Sequence, residues 1–153
     1  MAETNVAALY RAVIQQLAQN GTEMWGSRIY NTESTQTGNG NTRPYVIMVM
    51  VSDIEPMWTR VPGAITVMYI KCVADDMETS FAGAGRINDL LHDAGTIDNG
   101  LPGYAPPSKL LGGSFWNIAT ATKEQSLHMI ENVENARPIY HDGARYKFRM
   151  ERN

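Results

Sequence analysis

The run YVIMVMV, Tyr45–Val51, is apolar at every position. Successive side chains of a β-strand point to opposite faces, so this run is tolerated only where both faces are covered, by helix, by another sheet or by another subunit. It predicts a strand in the interior of a sheet. After the loop SDIEPMWTRVPG, residues 64–73 are again β-rich. Ile65, Val67, Tyr69 and Val73 fall on one face, and Thr66, Met68, Ile70 and Cys72 on the other. The two segments are expected to pair antiparallel.

Helical periodicity brackets these strands. Over residues 5–19, Val6, Leu9, Tyr10, Val13 and Leu17 recur at helical spacing, while Arg11, Gln15, Gln16 and Gln19 fall largely elsewhere; Asn20-Gly21 ends the helix. Asp75 and Glu78 have capping-box spacing. Met77, Phe81, Ala84, Ile87 or Asn88, Leu91 and Ala94 then form a stripe running to Gly95. Ser27–Tyr30 predicts a short strand. Phe115–Ala121 and Ser126–Val133 are further strand candidates, although KEQSLHMIENVE also reads as helix. Near the end, Tyr146, Phe148 and Met150 alternate with Arg145, Lys147 and Arg149, predicting a half-buried strand with a basic face. Asp142-Gly143 is the dipeptide of a tight hairpin turn. That places His141 and Asp142 at a turn and favours architecture over catalysis, because adjacent residues of an extended chain face opposite ways.

Two segments resist burial. Asn31–Arg43, NTESTQTGNGNTR, has no apolar member and is expected to be mobile until assembly orders it; residues 95–113 are rich in Gly and Pro and form a long loop. The rest suits one domain spanning 1–153, a size that buries roughly 68–70% of its unfolded surface. The net charge is 13 − 16 = −3, which argues against a strong electrostatic grip on nucleic acid or anionic lipid. No run approaches the roughly 20 apolar residues that span a bilayer. Glu3 stands where a secretory signal carries positive charge, so a cytosolic setting is expected. Cys72 is the only cysteine and reads as a small buried hydrophobe.

Candidate chemistry is sparse. His92, His128 and His141 have no metal-type partner three or four positions away. Gly83-Ala84-Gly85 lies within the second helix, without a phosphate-loop continuation, and reads as close packing on the sheet. Gly112-Gly113-Ser114 lacks the second glycine of a nucleophile elbow. Asp75-Asp76 reads as a cap. Trp58, beside Arg60 in a Pro-flanked loop, is either an interface anchor or folds back onto the core; Trp25 and Trp116 are expected in the core or at its rim.

The order of parts resembles the small tail-completion and tail-terminator proteins of long-tailed bacteriophages. The matching parts are the helix ALYRAVIQQL, the segment RIYN, a polar loop, the strand PYVIMVMV, the strand-to-helix unit VMYIKCVADDMETSFAGAGRINDLLH and the closing strand YHDGARYKFRM, together spanning most of Val6 to Met150. The chain departs from that pattern at 95–113 and 114–133. The resemblance implies an α+β fold with a mainly antiparallel sheet of four to five strands and two helices on one face. It implies a ring, commonly of six copies, at the head-proximal end of the tail, joining the tail tube protein to a head-completion or neck protein and assembled in the host cytoplasm. It implies no catalytic residue and no cofactor. DNA would pass through the ring, so a neutral or acidic channel is expected, supplied by Asp75, Asp76 and Glu78 or by Glu131 and Glu134. Trp58, Arg60, Arg145, Lys147 and Arg149 are then candidate contacts to subunits or partners. The rival reading is a small enzyme or ligand-binding domain with a helix–sheet pocket holding His92, His128 or His141.

Overall fold

The computed structural model describes residues 5–20, 24–26, 28–31, 43–54, 63–91, 116–132 and 134–152. In chain order these form α1 (Asn5–Asn20), β1 (Ile29–Asn31), β2 (Tyr45–Ile54), β3 (Gly63–Ala74), α2 (Met77–Leu91), β4 (Trp116–Glu131) and β5 (Ile139–Arg152). The strands make one sheet in the order β1-β2-β3-β5-β4. Only β1 and β2 run parallel; β2–β3, β3–β5 and β4–β5 are antiparallel. The fold is the expected α+β arrangement of a mainly antiparallel sheet with two helices.

Alternation along the strands sorts side chains between two clusters. Val46 and Met48 from β2, Met68, Ile70 and Cys72 from β3, and Ala144, Tyr146, Phe148 and Met150 from β5 share the principal core. There they meet Leu9, Val13 and Leu17 of α1 and Ile87, Leu90 and Leu91 of α2. Trp25, fully buried, joins this core and donates its indole N–H to the Leu17 carbonyl at 3.0 Å. The intervening residues Tyr45, Ile47 and Val73 make a second cluster with Tyr30, Val49 and Ile139. Tyr45–Met48 are therefore buried on both faces, as their composition required, whereas Val49 and Met50 are half-buried and Val51, at the register shift, is 42% exposed. Each fully buried large apolar side chain contributes about 1.5–3 kcal/mol.

The structure revises four local expectations. Asp142-Gly143 is no turn. Both residues lie inside β5, opposite Cys72 and Lys71 of β3, and the β4–β5 turn is at 134–136, where Asn135 takes φ 60°. Asn tolerates that left-handed backbone because its short side chain bonds locally. The two strand candidates Phe115–Ala121 and Ser126–Val133 are strand where described, but they form the single strand β4, which runs through Thr122–Gln125 with register shifts at Ile118/Thr120 and Lys123/Gln125. The helical alternative for KEQSLHMIENVE therefore does not hold through Glu131.

The third revision concerns α2, whose cap is Asp76. Its carboxylate accepts the Thr79 backbone N–H at 2.8 Å, while Asp75 instead pairs with Arg43 at 2.5 Å. The buried side of α2 is Ser80, Gly83, Ile87, Leu90 and Leu91, so Met77 and Phe81 of the expected stripe face outward. The small residues set this rotation: a Cβ on Gly83 would lie 2.3 Å from the Cys72 sulfur, so α2 meets β3 at that glycine. Gln16, expected on the polar side of α1, is the fourth revision. It is buried and donates its amide to the Leu90 carbonyl at 3.1 Å, tying the two helices together.

Trp58, Arg60, His92, Gly112-Gly113-Ser114, residues 32–42 and residues 95–113 lie outside the described residues.

Candidate functional site

Among the described residues, the densest polar constellation centres on Asp142. Its carboxylate is buried, accepts the Ser80 hydroxyl of α2 and pairs with Nδ1 of His128 on β4. Asp142 and His128 are direct partners in the β4–β5 ladder, which places both side chains on the helix side of the sheet. Phe81 of α2 meets the His128 ring edge-on, with centroids 5.7 Å apart. One carboxylate thus pins α2, β4 and β5.

The order of these groups excludes the usual acyl-transfer relay. A serine nucleophile needs a histidine between itself and the carboxylate, to take its proton. Here the carboxylate stands between, and Ser80 is fully buried. The arrangement supplies hydrogen-bond partners to a buried carboxylate, which would otherwise be costly to bury.

His141 lies on the other face. Its Nε2 is 2.9 Å from Glu131, while Nδ1 is buried with no partner among the described residues. His128 and His141 point away from each other across the sheet and do not build one pocket. Among the described residues, no group of three or more His, Cys, Asp or Glu could hold a metal ion. Burial holds the His141 pKa below its ordinary 6.5, against the opposing pull of Glu131. Burial also lowers Lys71 and pushes the Cys72 thiol up to about 12, with Asp142 adding to the latter.

The His141 shift has a measurable sign. Its folded pKa is depressed, so the unfolded chain binds a proton first, and stability is lost as pH falls below about 6.5. The midpoint of thermal unfolding is expected to drop more between about pH 7.5 and 5.5 in the wild type than in His141→Gln. Equal drops would show that His141 does not contribute.

The closing strand behaves as its alternation predicts. Tyr146, Phe148 and Met150 are buried, and Lys147 and Arg149 are exposed on the face away from the helices. Arg145 is half-buried; its Nε lies 3.2 Å from the Glu124 carboxylate, a charge contact rather than an aligned hydrogen bond. These three basic residues share one face; Trp58 and Arg60 lie outside the described residues. The Asp142 constellation had no local signal in the sequence, since only strand register brings His128 and Ser80 to it.

No protein-family model matches the chain, and no curated protein matches it. Among solved structures, it is similar to a chain of the "Virion of native gene transfer agent (GTA) particle", with a TM-score of 0.61 and 18% identity, covering 98% of this chain and 99% of that one. At that identity the likeness is one of fold.

Proposed function

We propose that this chain is a structural, non-enzymatic virion protein of a phage-like particle. In this reading it forms a ring, of six copies as is common in the family it resembles, that caps the tail tube and joins it to the neck. The carrying observation is the fold match to a virion chain over nearly the full length of both. The ordered parts from ALYRAVIQQL to YHDGARYKFRM support the same reading. Its partners are further copies of itself, the tail tube protein and a head-completion protein, with DNA only passing through. The ring is assembled in the host cytoplasm and sits at the head-proximal end of the tail.

Electron microscopy of particles carrying a tagged copy tests this. Label confined to the head–tail junction is expected. Label on the capsid surface or tail tip, or particles without the chain, would sink the reading.

Trp58, an aromatic beside Arg60 in a Pro-flanked segment, is proposed as a contact to a neighbouring subunit or partner. Trp58→Ala is expected to weaken self-association or docking by about 2 kcal/mol or more while leaving thermal stability nearly unchanged. Unfolding at a much lower temperature with intact assembly would assign Trp58 to the core instead.

A further inference from the structure

Large apolar side chains stand exposed side by side where α2 meets the edge strand β4. Met77 and Phe81, one helical turn apart, are 45% and 49% exposed, and Ile130 is 54% exposed. Phe81 touches the His128 ring, and His128 and Ile130 lie two residues apart on the same face of β4, with no register shift between them. The Phe81–His128 contact thus joins the Met77–Phe81 turn of α2 to the His128–Ile130 row of β4, the strand that ends the sheet among the described residues. The rim of this strip is acidic, because Asp76 and Glu78 flank Met77, while the charge of the neighbouring Asp75 is met by Arg43. Single exposed apolar residues are ordinary. A contiguous strip along the strand that ends the sheet among the described residues is what soluble chains keep covered.

The same chain carries the complementary surface. Lys147 and Arg149 are exposed on the opposite face of the sheet. They sit across from Val67 and Ile65, towards the start of β3, whereas α2 leaves the far end of β3 after Ala74. The acidic apolar strip and the basic pair therefore lie at opposite ends and on opposite faces of one sheet. They cannot meet within a subunit, but they can meet between subunits.

We propose that the Met77–Phe81–His128–Ile130 strip, with its acidic rim, docks the Lys147 and Arg149 face of a second copy of this chain. The inference rests on the ring reading above and names the surfaces that build the ring. Charge selects the occupant: a partner must bring basic groups to the acidic rim, and two strips facing each other would oppose like charges. Because two different patches meet, the contact is head-to-tail, the geometry that closes rings.

The test uses the full chain and a charge swap, read by native mass spectrometry and sedimentation at about 0.15 M salt, where exposed charges still act over roughly 8 Å. The wild type is expected to assemble beyond a dimer. Lys147→Glu with Arg149→Glu, and separately Glu78→Lys, should each weaken association at least about tenfold. An equimolar mixture of the two variants should recover assemblies with an even number of alternating copies, since each then faces its opposite. Met77→Ser should weaken association while leaving the unfolding midpoint of the single chain nearly unchanged. Assembly indifferent to both variants, a mixture that fails to recover, a wild type that stops at a dimer, or one that stays monomeric would each overturn the proposal. Microscopy separates this from the reading beneath it: junctional rings that tolerate both variants keep the ring and discard these surfaces, whereas a working swap in a chain absent from particles does the reverse.

Discussion

Gly143→Val is expected to destabilise the fold by about 4 kcal/mol or more, enough to leave much of a marginally stable domain unfolded. Gly143 sits in β5 between Lys71 of β3 and Leu127 of β4. A Cβ added there would lie 2.2 Å from the Ile70 carbonyl oxygen and 2.4 Å from the Lys71 Cα. These are backbone atoms of the central strand, so no side-chain rotation relieves the clash and the two strands must separate. Gly85 is the control, because a Cβ there meets nothing within 4 Å. Gly85→Ala, in the exposed part of α2, should be neutral or stabilise by up to about 1 kcal/mol. Urea unfolding of the two variants checks the contrast, and similar midpoints would show that the close approach of β3 and β5 has been misread.

Tyr146→Ala is expected to cost about 3–5 kcal/mol, the range for deleting a buried aromatic ring. Tyr146 is fully buried at the centre of the principal core, with its ring centroid 6.4 Å from that of Phe148. Its hydroxyl donates to the Asn88 side-chain amide oxygen Oδ1 at 3.4 Å, a long bond that adds little. Desolvation holds the phenol well above its ordinary pKa, so it stays neutral at any pH used for folding measurements. Tyr146→Phe should therefore cost far less than Tyr146→Ala. The same free-energy loss for both, or a loss near zero for the alanine variant, would place the ring outside the core.

The proposed ring adds a second kind of test to these folding ones. Tyr146 and Gly143 act within a subunit, whereas Lys147 and Arg149, their neighbours on the same strand, are exposed. Variants of the first pair should lower the unfolding midpoint. Variants of the second should change assembly and its salt dependence, because exposed charges contribute little to the stability of a single chain.

The elements carried by side-chain period were legible before any coordinates. YVIMVMV demanded cover on both faces and has it from Tyr45 to Met48, though Val51 is exposed; Tyr146, Phe148 and Met150 alternate inward, and α1 ends at Asn20. These follow from the next few residues along the chain, since the period of a strand or helix is a local property. What depended on register was not legible. Asp142-Gly143 reads as a turn in isolation, yet β5 runs straight through it, because pairing with two neighbouring strands outweighs a two-residue preference. The outward position of Met77 and Phe81 came from Gly83 and Ser80 seating α2 on the sheet. The joining of Ser80 to Asp142 spans 62 residues and that of His128 to Asp142 spans 14. Sequence by itself determined which faces are apolar and which basic. Only tertiary structure decided which polar groups meet and which apolar ones stay exposed, because those outcomes depend on strand register and helix seating set by contacts far apart in the chain.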